Sequence, residues 1–181
     1  TTAQTVDLTN LPVLPEASGG GIESLIKTFQ GVSSNNELSS QYSVRGGSYD
    51  ENSVYVNGIE VYRPYLVRNG EQEGLSFVNP DMTGGVDFSA GGFDALHGDK
   101  LSSVLNIEYR KPRPFEAGVG ASFTGASAFV GSSNEKYSQL HGFRYKNAAF
   151  ILGTLQTQAE YNPNFFDYQT YITYKPHTDV E

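Results

Sequence analysis

Apolar residues recur at Ile22, Leu25, Ile26 and Phe29, a spacing of i, i+3, i+4 and i+7 that places all four on one helix face. Gly19, Gly20 and Gly21 precede this run, and Gly31 follows where a helix usually ends. The spacing predicts a helix over Gly21–Phe29. Upstream, Pro12 and Pro15 keep the chain extended. Downstream the period changes. Val54-Tyr55-Val56 and Ile59-Glu60-Val61 are β-prone runs around Asn57-Gly58, a dipeptide that supplies the two positive φ angles of a type I′ hairpin turn. Val86–Ala90 and Ser103–Tyr109 read as strands, with Val104, Leu105 and Ile107 as core residues of the second. Between them, Gly91 to Asp99 reads as a loop or a short turn of helix.

Past the Pro-rich, basic stretch Lys111-Pro112-Arg113-Pro114 the texture shifts, and this stretch reads as a boundary. Ala117, Val119, Ala121 and Phe123 alternate with Gly118, Gly120, Ser122 and Thr124. Tyr137–Tyr145 and Phe150–Thr157 are further strand candidates. Phe166, Tyr168, Thr170, Ile172 and Tyr174 form another alternating set. One face is apolar or aromatic and the other small and polar. A lipid-exposed barrel has that signature. A soluble antiparallel sheet alternates too, so the pattern alone leaves both open. The expected organisation is an extended segment over 1–20, a domain over 21–114 and strands over 115–181.

Charge and composition narrow the function. Twelve Lys and Arg against 20 Asp and Glu give a net charge of -8, the wrong sign for a nucleic-acid backbone. Cysteine is absent, which removes disulfide frameworks, thiolate metal sites and cysteine nucleophiles. No apolar run approaches the roughly 18 residues of a spanning helix. Thr1-Thr2-Ala3-Gln4 carries no basic segment leading into an apolar core, as expected of a cytosolic or processed chain.

The search for chemistry is nearly empty. His97, His141 and His177 are far apart and lack ligand spacing. No phosphate loop, nucleophile elbow or calcium loop occurs. Asp50, Glu51, Asp94 and Asp99 sit in polar loops rather than as a desolvated pair. No catalytic residue, metal or cofactor is assigned, and the chain does not read as an enzyme.

One region is dense with unusual motifs. It contains Ser43-Val44-Arg45-Gly46-Gly47, the Val54–Val61 hairpin, Val86 to Gly98 and Val104-Leu105-Asn106-Ile107. In this order the motifs resemble the plug domain of TonB-dependent outer-membrane receptors, in the style of Bacteroidetes members. The predicted helix and Gly31-Val32-Ser33 resemble that family's first helix and "PGV" turn, with Gln30 in the Pro position. Arg45-Gly46 matches its "RG" step. The hairpin matches "V-x-V-D-G-V", with Asn57 for Asp. Val86–Gly98 aligns with "IEVLRGPxSALYG" and Val104–Ile107 with "GGVINI".

The resemblance implies an α+β fold, a small mixed-sheet plug with flanking helices, followed by the first antiparallel strands of a 22-stranded barrel. It implies one part of a longer receptor in a Gram-negative outer membrane. That receptor takes up a scarce nutrient (siderophore, vitamin, glycan or peptide), powered by the TonB complex. It further implies a lock between plug and barrel through Arg45 and Asp87. Asp87 stands one methylene shorter than the family's glutamate, and Ala90 replaces its second arginine. After the hairpin, Tyr62, Arg63, Tyr65 and Arg68 are candidate ligand contacts, the cations for an anionic group and the rings for stacking. A lid lipoprotein and self-association through strand edges are further expected partners. The reading from another class is a self-contained periplasmic or surface binding module.

Overall fold

A computed structural model describes residues 3–7, 22–34, 41–64, 76–122, 125–147 and 164–176. The chain divides into two compact units that meet in sequence between Arg110 and Lys111.

In the first unit, helix α1 covers Ile22–Ile26. It is shorter than its apolar spacing predicts, and Gly21 lies outside the described residues. Lys27 N–H still reaches Glu23 O at 3.0 Å, but Thr28 and Phe29 donate three residues back, to Leu25 O and Ile26 O. The Thr28 hydroxyl also bonds Leu25 O at 2.6 Å, which competes with the helical ladder. Gly31 then turns away with φ +84°. The apolar stripe keeps its purpose: Ile22 and Ile26 are buried, and Phe29 packs on Phe88 with ring centroids 5.6 Å apart. Among the described residues α1 is the only α-helix, accompanied by 3-10 turns at Tyr49–Glu51 and Pro80–Met82. The expected flanking helices thus reduce to one short helix here.

The strands are β1 (Ala3–Asp7), β2 (Val32–Ser33), β3 (Ser43–Val44), β4 (Asn52–Val56), β5 (Ile59–Glu60), β6 (Thr83–Ser89) and β7 (Ser103–Tyr109). Five form a sheet in the order β1-β6-β7-β4-β5. β4 and β7 run parallel while the other pairs are antiparallel, so the sheet is mixed. Register brings Leu105 beside Val54 and Phe88, and Ile107 beside Val56 and Val86. These side chains, with Ile22, Ile26, Tyr42 and Val44, make the core. Each fully buried aliphatic or Phe side chain contributes about 1.5–3 kcal/mol. β2 and β3 form a separate pair beside α1 in sequence.

Asn57 (φ +50°) and Gly58 (φ +76°) form the type I′ turn that their sequence predicts. β6 begins at Thr83 rather than Val86. Gly84 sits so close to Arg110 that a Cβ there would lie 2.8 Å from the Arg110 Cβ, and the register slips between Thr83 and Gly85.

The second unit holds β8 (Phe115–Ser122), β9 (Gly125–Ser133), β10 (Tyr137–Asn147) and β11 (Asn164–Tyr174), in the order β11-β10-β9-β8 with antiparallel neighbours. β9 escapes the sequence reading because Gly125-Ala126-Ser127-Ala128 has the composition of a loop. It is a strand because β8 and β10 pair with it on either side, and Gly118 of β8 leaves room for its Phe129 ring, from which a Cβ there would lie 2.5 Å. The predicted strand Phe150–Thr157, together with Phe123 and His177, lies outside the described residues.

The sheet has two unlike faces. One exposes Phe115, Val119, Phe143, Phe166, Ile172 and Tyr174. The other carries Leu140, fully buried, and an ion pair in which Arg144 Nε and Nη2 bond Asp167 Oδ2 at 2.8 and 2.5 Å.

Candidate functional site

The sequence singles out two places in the first unit. The first is the turn at Arg45. Gly47 N–H bonds Val44 O at 2.9 Å, and Arg45 and Gly46 have φ +50° and +82°. This is the same turn geometry as at Asn57-Gly58, but with arginine at a position that suits Asn or Gly. A side chain in the left-handed region costs about 1–2 kcal/mol, so the fold holds Arg45 there against local preference. Arg45 N–H bonds Gly31 O at 2.8 Å. The side chain then crosses two glycines: a Cβ on Gly31 would be 3.4 Å from Arg45 Cγ, and one on Gly91 3.6 Å from Nη1. The residue remains exposed. Glycines of the helix exit and of the β6 exit therefore frame an outward cation.

Asp87 lies in the middle of β6, half-buried, between Val86 and Phe88, whose side chains enter the core. It therefore sits on the opposite face, with Asn106 of β7 as its register partner. No ion pair joins it to Arg45. Ala90, where the family's second arginine would fall, is 5% exposed and belongs to the core cluster. An arginine there would carry its charge into an apolar environment.

The second place follows β5. Tyr62 and Arg63 are both exposed, Tyr62 at 84%. Beyond them Pro64 O accepts from Phe77 N–H at 2.6 Å, which pins the point where the chain leaves and returns. Tyr65 and Arg68 lie outside the described residues. Tyr55 packs edge-on against His97 with ring centroids 4.7 Å apart. Its phenol is pushed above its ordinary value by burial first, then by Glu60, Tyr62 and Asp99. The surroundings of Tyr55 thus include two acids, Glu60 and Asp99, the second from a distant loop that linear spacing does not bring near.

That loop is tightly held. Lys100 Nζ bonds Asp50 O at 2.7 Å, and Ser102 Oγ donates to Glu51 Oε2 at 2.6 Å. Gly47 fits beneath it only without a side chain, since a Cβ would meet Ser102 Oγ at 1.8 Å. Among the described residues no group of three His, Asp or Glu side chains could hold a metal ion.

The sequence matches the TonB-dependent Receptor Plug Domain family over residues 1–103, more than half of the chain. The chain belongs to that family. The plug and the strands after it also match solved structures at low identity. The siderophore receptor PirA from Pseudomonas aeruginosa is 16% identical, with TM-score 0.67 over 98% of this chain and 31% of that one. PirA from Acinetobacter baumannii is 15% identical, with TM-score 0.66 over 98% and 30%. The outer membrane transporter YddB from Escherichia coli is 11% identical, with TM-score 0.63 over 98% and 31%. These likenesses establish a shared fold, a mixed-sheet plug followed by antiparallel strands. The chain spans about a third of the length of those proteins. No curated protein matches the sequence.

No helix among the described residues is long and apolar enough to cross a membrane, which says nothing of a β-barrel. The outward face of β8–β11 speaks to that point. Its polar side chains bond one another. Tyr137 OH donates to Gln139 Oε1 at 3.1 Å, and Gln139 Nε2 to Ser132 Oγ at 3.0 Å. His141 Nδ1 lies 2.8 Å from Tyr168 OH and 2.9 Å from Thr170 Oγ1. A surface facing hydrocarbon has to satisfy its polar groups internally in this way.

Proposed function

We propose that this plug and its strands belong to a receptor in the outer membrane of a Gram-negative bacterium that imports a scarce nutrient, driven by TonB. The observation that carries this reading is the outward face of β8–β11: exposed aromatic and aliphatic side chains, with the polar ones paired among themselves. A self-contained soluble module would need that face covered. In the full receptor the sheet continues into a 22-stranded barrel around the plug, whose remaining flanking helices complete the fold. The polar lumen suits an acidic plug with hydrogen-bonded turns on its surface.

Arg45 and Asp87 act as the lock. The exposed guanidinium meets carboxylates of the barrel wall, and the strain at Arg45 is tolerated because the contact requires a cation at that point. Tyr62 and Arg63, with Tyr65 and Arg68 further on, meet the nutrient, whose class is a siderophore, vitamin, glycan or peptide. A lid lipoprotein and strand-edge self-association are compatible partners.

The test uses the full-length receptor in its native outer membrane. Uptake of a panel of labelled ferric siderophores, vitamins, oligosaccharides and peptides is measured with and without a protonophore. The expected result is saturable uptake of one class, abolished by the protonophore. Arg63→Ala is expected to weaken binding of that nutrient by roughly tenfold, the loss of one charge-assisted hydrogen bond. Unchanged affinity removes Arg63 from the site. A receptor absent from the outer-membrane fraction defeats the whole reading.

A further inference from the structure

The mixed sheet of the first unit has a second face. Alternation along β4, β6 and β7 sends Val54, Val56, Val86, Phe88, Leu105 and Ile107 into the core and the residues between them to the other side. Across β4–β7 that other side carries Glu60, Asp87 and Glu108 and no Lys or Arg.

Tyr55 stands on this face between two register partners, Glu60 of β5 and Asn106 of β7. Val61 N–H bonds Val54 O at 2.8 Å and Val61 packs against the core, so Glu60 and Tyr62 on either side of it face the way Tyr55 does. From the loop before β7, His97 sets its ring edge-on to Tyr55 at 4.7 Å between centroids. The Tyr55 phenol, raised first by burial and then by Glu60, Tyr62 and Asp99, registers all three as neighbours. Rings and carboxylates therefore converge from two strands and a loop.

The polar atoms of this corner lack a donor. Asn106 Oδ1 is buried with no hydrogen-bond partner. Ser53, two residues before Tyr55 on the same face, is 2% exposed. The phenol of Tyr55 senses the Ser53 hydroxyl, yet Ser53 Oγ makes no hydrogen bond of ordinary geometry. Buried oxygens left in this way are costly, and a ligand that donates to them recovers the loss. Among the described residues neither Glu60 nor Asp99 bonds a cation. Lys100, beside Asp99 in sequence, is held elsewhere, its Nζ on Asp50 O at 2.7 Å.

We propose that this corner, built from Tyr55, Glu60, Tyr62, His97 and Asp99, binds a protonated primary amine of the imported nutrient. The two carboxylates supply the charge, the rings supply cation–π attraction, and the oxygens of Ser53 and Asn106 accept the ammonium N–H groups. The proposal rests on the reading of Tyr62 and Arg63 as nutrient contacts and names the class. Among siderophore, vitamin, glycan and peptide, a peptide with a free N-terminus or a lysine presents such an amine, and its carboxylate suits Arg63.

The experiment uses the full-length receptor purified in a neutral detergent. Ligand-observed NMR titration measures binding of three probes with both ends blocked, N-acetyl-lysine amide, N-acetyl-norleucine amide and N-acetyl-trimethyllysine amide. The lysine probe is expected to bind at least tenfold more tightly than the norleucine probe, and more tightly than the trimethyl probe, which has no N–H to donate. Glu60→Gln and Asp99→Asn should each weaken the lysine probe by about fivefold, the scale of one exposed ion pair. Tyr62→Ala should weaken it by about threefold, and Tyr62→Phe should retain it. Glu108→Gln removes an acid from the same face away from the rings and should change nothing. Equal binding of lysine and norleucine probes overturns the proposal, as does an effect of Glu108→Gln equal to that of Glu60→Gln. A trimethyl probe as tight as the lysine probe overturns the assignment to a primary amine. Should Glu60→Gln not fold, Glu60→Asp and Asp99→Asn carry the test, with binding kept in the first and weakened in the second. Failure of the import reading is seen separately, as a receptor that takes up no nutrient or is missing from the outer membrane. A receptor that imports a nutrient without an amine, still weakened by Arg63→Ala, defeats this proposal alone.

Discussion

Asn57 performs two tasks that mutation can separate. Its backbone stands at φ +50°, where an ordinary side chain costs about 1–2 kcal/mol. Its Oδ1 accepts the Tyr109 N–H at 2.8 Å, joining the β4–β5 turn to the end of β7. The backbone contributes a further tie, since Asn57 N–H bonds Ile107 O at 2.8 Å, but that bond survives any substitution except proline. Asn57→Gly removes only the acceptor, and the expected loss is about 1–2 kcal/mol for one hydrogen bond and a partly desolvated donor. Asn57→Ala removes the acceptor and adds the left-handed strain, so the expected loss is about 2–4 kcal/mol. Asn57→Asp keeps both the tolerance of positive φ and the acceptor, and should lie within about 0.5 kcal/mol of the parent protein. Urea unfolding followed by far-UV circular dichroism, with the four proteins at one pH and salt, gives the order. The expected ranking is parent and Asp together, then Gly, then Ala. Gly and Ala variants of equal stability would refute the strain argument. An Asp variant less stable than the Gly variant would refute the role of the acceptor.

Three further outcomes follow from other parts of the molecule. Burial pushes the Tyr42 phenol far above its ordinary value of 10.0, with the Glu23 charge adding to this and the Ser103 hydroxyl opposing it. Its stabilising effect is complete below pH 10 and is lost as pH rises toward the folded value, at about 1.4 kcal/mol per pH unit; Tyr42→Phe should flatten that loss in urea midpoints taken between about pH 9 and 11, and parallel curves would contradict it. Asp167→Ala removes the carboxylate that the buried Arg144 guanidinium bonds and should cost about 3–5 kcal/mol, read as an earlier loss of the heat-modifiable gel shift of the full receptor; an unchanged midpoint would mean the pair is solvated. Gly118→Ala drives a methyl into the Phe129 ring and should cost about 1–3 kcal/mol, most of it recovered in a Gly118→Ala, Phe129→Leu double variant; strictly additive losses would deny the clash.

Much of the first unit is legible along the chain because its signals are local. Asn57-Gly58 carries its own φ preference, and Ser103–Tyr109 carries β-branched and aliphatic residues, so the hairpin and β7 form where the pattern puts them. The order of the plug motifs is likewise readable without coordinates, and the family match bears it out. Locally weak signals fail for equally physical reasons. α1 stops early because the Thr28 hydroxyl and a tightening turn take over the carbonyls of its last residues. β9 is a strand because β8 and β10 pair with it on both sides, Gly118 making room for Phe129, and that pairing is invisible in its small-residue start Gly125-Ala126-Ser127-Ala128. The candidate site divides in the same way. Arg45 is recognisable from its Arg-Gly step, while its left-handed strain and its seat across Gly31 and Gly91 depend on two glycines distant in sequence.

The sequence by itself determined what depends on near neighbours: the turn at Asn57-Gly58, the apolar stripe of α1, the alternation past Phe115 and the motif order that marks the family. Only the tertiary structure decided the parallel pairing of β4 with β7, the partnership of β1 with β6, and the two faces of the second sheet, one with exposed rings and hydrogen-bonded polar side chains, the other with buried Leu140 and the Arg144–Asp167 pair. Periodicity tells each strand which residues share a face. Which strand lies beside it is decided by long-range pairing, and that is settled by the combined burial and hydrogen bonding of the whole sheet.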